Sequence, residues 1–564
     1  MAAERASFRG APASDRWSWV RWLLAVIVVV GLALAVRLQC GRSGLIGDEV
    51  YHILAARNYL DHGVMETEPG EPYLRGMVFT WMIAQSFAWG GESLTTARLP
   101  SVIFSTASVM VILCWVRREA GLTAGVLAGL LAALAAPSVY FSQVARFYAP
   151  QYFAVLVMWW MTAQAVRYGQ SWTVRMAAAL LALTALGIGV HFQVTTLIPA
   201  AVAAGWAAVM LTIQAWGLPH RPWVRWGWSV LPAALVVAAL AVTATFHDLS
   251  AKLEEAMHFT PTWSLGHVHD VFFYWREMSF WYQGLWWGLP VAVVLALLRP
   301  RVSWSVIALW LFGIVIPLAV HSVLPAKALR YVYYMSPCLF ALWGIAGAVL
   351  LETLWRAFSA RLMRWRWSPG AVVAALCLAT AVMTGLGAYV LNRTYAFYLT
   401  RVMLTDPQRR TPFTDPDWNS TLTFVDDQVH HADIVLCSGG MKAAYYIPYR
   451  ATGVIGNLGM PERPEDLRDY AFDAATLTDI VRTHPRGLVL VEEGAWRNTG
   501  QVEPVIADVL LQLTKPMELP TDTDIMVFQW GFDSPAPKAT ARANLLVGPE
   551  PVRARSSVAP GSPR

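Results

Sequence analysis

Long unbroken apolar runs alternate with short polar segments along most of the chain. Trp22–Val36 is the first run, and Arg21 and Arg37 flank it. Arginine stems can snorkel to the bilayer surface, so a run of this length can cross the hydrocarbon layer as a helix. No small-residue cleavage pattern follows it, so it reads as a retained helix rather than a removed signal peptide. Further runs lie near Leu99–Val116, Leu122–Tyr140, Gln151–Val166, Met176–Val190 and Thr195–Ile213. Others lie near Trp228–Phe246, Gly284–Leu298, Val302–Val320, Val332–Leu351 and Ala371–Leu391. The pattern therefore predicts a polytopic α-helical membrane protein of about eleven transmembrane helices.

Two connecting segments are too long for simple turns. In the first, Leu38–Arg98, the stretches Val50–Tyr59 and Met77–Trp89 read as amphipathic helices lying at the membrane surface. The second, Phe246–Gln283, is rich in His and aromatic residues. Past Asn392 the pattern shortens. Asp433–Cys437, Gly487–Val491 and Ile525–Gln529 read as strands, and Ala474–Arg482 and Val505–Thr514 have helical spacing. Alternating strands and helices predict a small α/β domain. The predicted organisation is a disordered N-terminus over 1–17 and a transmembrane catalytic domain over 18–392. An α/β domain over 393–533 and a disordered tail over 534–564 follow.

Charge gives this frame a direction. Arg5, Arg9, Arg16 and Arg21 precede the first helix and place the N-terminus in the cytoplasm. Alternate loops then carry Arg117-Arg118, Arg167 with Arg175, Arg221 with Arg225, Arg299 with Arg301, and Arg356 through Arg366. Asp48, Glu49, Glu66, Glu68, Asp248, Glu254 and Glu255 fall on the other side. An odd helix count puts the α/β domain outside, at a cell membrane crossed many times. Of the 564 residues, 56% are hydrophobic and 14% charged, too few charges for a water-facing globule of this size. The net charge of +6 is spread over many short loops, which excludes a nucleic-acid face and fits cytoplasmic retention. The five cysteines include no C-x-x-C pair and give no zinc spacing. His258, His267 and His269 share one loop but match no zinc pattern either.

The adjacent acids Asp48-Glu49, just past the first helix, admit two readings. They can favour the positive end of a helix dipole, or a partly desolvated carboxylate there can act as a general base. Neighbours on a helix point about 100° apart, so the two acids do not share one proton.

The segment Gly47-Asp48-Glu49-Val50-Tyr51-His52-Ile53-Leu54-Ala55-Ala56-Arg57-Asn58-Tyr59-Leu60 resembles the first-loop signature of the GT-C glycosyltransferases. The nearest likeness is to the branch of dolichyl-phosphate-mannose protein mannosyltransferases and bacterial aminoarabinose and lipopolysaccharide-core transferases. Ala97-Arg98-Leu99-Pro100-Ser101, Ala145-Arg146-Phe147-Tyr148-Ala149 and Arg330-Tyr331 resemble further family segments, in the same order. The resemblance covers roughly residues 20–400. It implies transfer of a sugar from a polyprenyl-phosphate carrier to a hydroxyl of a glycan, lipid or protein acceptor at the outer membrane face. Asp48 is the first choice of general base and Glu49 the second. The anionic leaving group needs outer-face cations. Arg146 and Arg330 lead, with Arg37, Arg75 and Lys327 behind them; as anchors at the interface they have a structural reading too. Arg57, Tyr148, Tyr331 and His191 complete the candidate substrate contacts, the tyrosines equally suiting an aromatic belt and His191 a packing role. No cofactor is required, and a divalent metal is left open. Val144 stands where family members often carry an acid, and Tyr73-Leu74-Arg75-Gly76 where many carry a proline run. The rival reading is a transporter or flippase of lipid-linked sugars. It calls for inverted repeats and ionisable groups near the bilayer centre, and neither is evident.

Overall fold

The computed structural model describes residues 18–38, 45, 48–68, 71–167, 169–216, 268–300, 302–364, 418–438, 440–447, 452–456, 470–497, 501–519 and 524–532. The chain divides into two compact units, Met1–Phe413 and Thr414–Arg564.

Among the described residues of the first unit, six helices are long and apolar enough to cross a membrane, or seven counting one bent pair. α1 (Ser18–Arg37) opens the unit. α2 (Glu49–His62) and α3 (Met77–Gly90) occupy the long first loop, joined by the short antiparallel pair β1 (Glu66–Glu68) and β2 (Glu71–Pro72). α4 (Leu94–Ala120) follows, then α5 (Leu122–Leu134) and α6 (Ala136–Ser142), which bend by 58° where they meet. α7 (Tyr148–Val166), α8 (Trp172–Phe192) and α9 (Leu197–Trp216) continue the bundle. From residue 268 onward come α10 (Phe273–Trp281), α11 (Gln283–Trp287), α12 (Leu289–Leu297), α13 (Trp304–Val323) and α14 (Ser336–Arg364). Lipid-facing positions remain apolar: Leu23, Leu24, Ile27 and Val28 of α1 and Leu180, Leu181 and Leu183 of α8 are exposed.

The predicted count of eleven is not met on these residues. The runs Trp228–Phe246 and Ala371–Leu391 lie outside the described residues, as do segments 1–17 and 534–564. Gly284–Leu298 is two short helices rather than one span. Pro290 supplies no N–H, and Gly288 packs so tightly on Trp343 that a Cβ would fall 2.6 Å from its ring. α7 is helical, but it buries Gln151, Tyr152 and Gln164 inside the bundle and is not apolar enough to count. Of the two first-loop helices, α3 differs from the amphipathic expectation. α3 exposes Met77, Val78, Trp81 and Trp89 while burying Thr80 and Ser86, so its outer face is apolar.

Arg37 corrects the snorkelling expectation. It is fully buried, and its guanidinium donates to Ser105 Oγ at 2.8 Å and to the carbonyls of Ala33, Ala132 and Ala133 at 3.0–3.1 Å. The sequence explains the need. The carbonyl of Ala133 would normally bond the amide four residues on, and that residue is Pro137.

In the second unit, β3 (Ile434–Cys437), β4 (Gly453–Ile455), β5 (Tyr470–Ala471), β6 (Gly487–Glu492), β7 (Lys515–Met517) and β8 (Ile525–Trp530) form one sheet in the order 5-4-3-6-8-7. Its first four strands are parallel, and β8 and β7 join antiparallel. Strand alternation gives each face its own core. Val489 and Val491 pack with Leu436, Phe528, α17 (Ala474–Thr483) and α18 (Pro504–Leu513). Leu488 and Leu490 pack with Val435 on the other face, against α15 (Trp418–His431) and α16 (Gly440–Tyr446). The runs Asp433–Cys437, Gly487–Val491 and Ile525–Gln529 form β3, β6 and β8, and the two stretches of helical spacing form α17 and α18; β4, β5, β7, α15 and α16 are additions to the predicted set. Glu492, at the carboxyl end of β6, accepts from Trp418 Nε1 at 2.9 Å and Lys442 Nζ at 2.8 Å.

Candidate active site

The two acids at the start of α2 have opposite fates. Asp48 precedes α2 and keeps its carboxylate 45% exposed, whereas Glu49 begins the helix and is fully buried. Glu49 pairs with Arg98 of α4, whose side chain is equally buried, and accepts from the Ala145 amide at 2.7 Å. Ser101, one turn along α4, donates from Oγ to the carbonyl of Val144 at 2.7 Å, so the segment holding Arg146 is fixed from both sides. Three of the recognised sequence segments thus meet at one buried ion pair. Arg98, Ser101 and the Ala145 amide were missed as functional groups. The available signal was an arginine early in an apolar helix, which is costly unless paired.

Asp48 faces the other way. Arg146 Nη2 lies 3.4 Å and Arg330 Nη1 3.6 Å from its Oδ2. Both are longer than the 2.7–2.9 Å of a tight charge-assisted bond, so the carboxylate is countered without being clamped. Arg146 is buried, and Nη1 donates to the Asp48 carbonyl at 3.0 Å and to Tyr73 Oη at 3.3 Å. Burial opposes its charge, but Tyr148, Tyr73 and Asp48 outweigh that and raise its pKa. Its guanidinium lies 4.9 Å from the Phe147 ring centroid and 5.6 Å from that of Tyr148. Arg330, in the short 3-10 turn Leu329–Tyr331, lies 5.4 Å over the Tyr331 ring, which stacks on His321. The fourth sequence segment is thereby brought to the same carboxylate as the first and third.

The remaining candidates divide. Arg75 is exposed, packs on Phe147 at 5.4 Å and reaches Gln193 Oε1 at 3.5 Å. His191 accepts from the Val78 amide at 3.4 Å, joining the end of α8 to the start of α3. These two flank the Asp48 cluster. Gly76 makes the approach possible. Its φ is +64°, and a Cβ there would meet Phe147 Cδ1 at 2.9 Å. Arg37 is held by the carbonyls described above. Arg57 chelates Glu92. Lys327 caps the end of α13 through the carbonyls of Ser322 and Leu324 at 2.6 and 2.8 Å, and burial lowers its pKa. Among the described residues, no three His, Cys, Asp or Glu side chains come together.

A polar chain leads inward from Arg146. Arg146 donates to Tyr73 Oη, which leaves the tyrosine proton for His52 Nε2 at 3.4 Å. His52 Nδ1–H then donates to Thr80 Oγ1 at 2.8 Å. The rings of Tyr73, Phe79 and Phe147 pack edge-on around His52. Burial, then Arg146 and Arg75, hold the His52 pKa well below its ordinary value. The folded loop therefore requires neutral histidine, and the unfolded chain does not. The stability this contributes is complete above about pH 6.5 and is lost as pH falls toward the depressed folded value. The protection factors of the α2 amides and the following loop, taken against the intrinsic exchange rate at each pH, should fall below that pH in the wild type. His52→Gln should remove the slope, and an identical slope in the variant would refute the assignment.

No family model and no curated protein matches the chain. It is similar to the crystal structure of ArnT from Cupriavidus metallidurans in the apo state, with a TM-score of 0.54 and 15% identity, over 89% of this chain and 97% of that one. It matches the same protein bound to undecaprenyl phosphate with a TM-score of 0.54 and 15% identity, over 93% of this chain and all of that one. The apo oligosaccharyltransferase of Archaeoglobus fulgidus gives a TM-score of 0.51 at 12% identity, over 85% of this chain and 70% of that one. At such identities the likeness is one of fold, and by that measure this chain has the polytopic membrane fold of ArnT and the archaeal oligosaccharyltransferase.

Proposed function

We propose that the chain is a membrane glycosyltransferase that moves a sugar from a polyprenyl-phosphate carrier to an acceptor hydroxyl at the outer membrane face. The observation that carries this reading is Asp48, a half-exposed carboxylate set between Arg146 and Arg330. A fold shared with ArnT, which has been solved with undecaprenyl phosphate bound, supports the choice of donor. In this reading the donor phosphate competes with Asp48 for the two guanidiniums and draws them toward itself. The freed carboxylate takes the proton as the acceptor oxygen attacks the anomeric carbon. The bond from that carbon to the phosphate oxygen breaks, and the leaving phosphate keeps the electron pair beside Arg146 and Arg330. Among the described residues, the charged groups facing the Asp48 carboxylate are the guanidiniums of Arg146 and Arg330. Glu49 is a positioning residue, holding Arg98 and the Ala145 amide. The second unit stands outside the cytoplasm.

The test is turnover by the purified chain with polyprenyl-phosphate sugars, read as glycosylated acceptor plus free polyprenyl phosphate. Arg330→Gln should raise the donor KM about tenfold, the loss of one charge-assisted contact, with a smaller effect on kcat. Movement of the lipid across vesicles with no glycosylated product would instead establish the flippase.

A further inference from the structure

The far end of the bundle carries a second cationic site. α4 has 27 residues, a rise of about 40 Å, and its start lies at the Asp48 cluster through the Glu49–Arg98 pair. Its last turn therefore reaches the opposite membrane face. There Cys114, Arg117, Arg118 and Trp160 of α7 line an open cleft of about 520 Å³. Arg117 is anchored by the Trp22 ring of α1, 4.0 Å from its centroid. Among the described residues, the carboxylates at this end are engaged, Glu119 with Arg167 and Glu352 with Arg299. Arg118 is exposed and has no ion pair among the described residues. The indole N–H of Trp160 is buried without a hydrogen-bond partner. A buried donor left unmade costs free energy, and an anionic ligand would satisfy it.

We infer that this cleft binds the phosphate of an anionic phospholipid headgroup, with Arg117, Arg118 and the Trp160 N–H as donors. Headgroup phosphates lie at the depth where spanning helices end, and tryptophan and arginine together suit that layer. Cys114 and the indole ring give the cleft an apolar wall for the start of the acyl chains. The rest of the lipid stays in the bilayer.

Native mass spectrometry of the full-length chain in detergent tests this, with added phosphatidylglycerol, phosphatidylcholine or inorganic phosphate. The wild type should retain one phosphatidylglycerol in preference to phosphatidylcholine, and inorganic phosphate should not displace it. Arg118→Gln should weaken retention about fivefold. Trp160→Phe, which keeps the ring and removes the donor, should weaken it too, and it carries the test if Arg118→Gln fails to fold. Equal retention by wild type and both variants overturns the site, as does equal retention of the two lipids. Displacement by inorganic phosphate assigns the cleft to a soluble anion and overturns the lipid.

Discussion

Asp48→Asn is expected to lower kcat by about 10²–10⁴-fold, the usual contribution of a positioned general base. The substitution is nearly isosteric, so it removes the proton acceptor and the charge while leaving α2 in place. Its effect on donor binding should run the other way. Arg146 and Arg330 lie 3.4 and 3.6 Å from the Asp48 carboxylate, and without that anion the donor phosphate has one competitor fewer for their guanidiniums. Equilibrium binding of a polyprenyl-phosphate sugar should therefore be unchanged or tighter in a variant that has lost turnover. This opposite movement distinguishes a lost base from a lost binding site. Full turnover by Asp48→Asn would sink the assignment.

Glu49→Gln should act on stability first. Glu49 and Arg98 are both fully buried, and removing either charge takes this ion pair away from a desolvated group. Breaking such a pair costs about 3–5 kcal/mol, whereas replacing both partners with apolar residues is often close to neutral. Thermal unfolding in detergent should show large losses for Glu49→Gln and for Arg98→Met separately. The double variant should lose less than their sum. Activity should fall as well, because Glu49 also holds the Ala145 amide beside Arg146. Single variants as stable as the wild type would show that the pair does not brace the site.

Several features are legible in the sequence. The apolar runs located α1, α4, α8, α9, α13 and α14, because a lipid-facing helix needs about 20 apolar residues in succession. In the second unit β3, β6, β8, α17 and α18 were legible from their shorter periods, whereas β4, β5 and β7 are only two or three residues long, too short for a period to show. Break points were harder to read. Gly288 before Pro290 interrupts a run that is apolar throughout, and hydropathy does not register an interruption made of apolar residues. α7 shows the converse. It buries glutamines and a tyrosine among other helices, where protein rather than lipid is the solvent.

At the site, the sequence by itself determined which residues could do chemistry. It supplied two adjacent acids and a small set of arginines suited to a phosphate leaving group. Tertiary structure alone divided their labour. A one-residue step at the start of α2 turns Glu49 into the core against Arg98 and leaves Asp48 half-exposed between Arg146 and Arg330. Local sequence cannot make that division, since Asp48 and Glu49 have the same neighbours along the chain. Their partners come from segments 49, 98 and 282 residues away. Desolvation and pairing of a charge depend on what packs against it, and that is settled only when the segments meet.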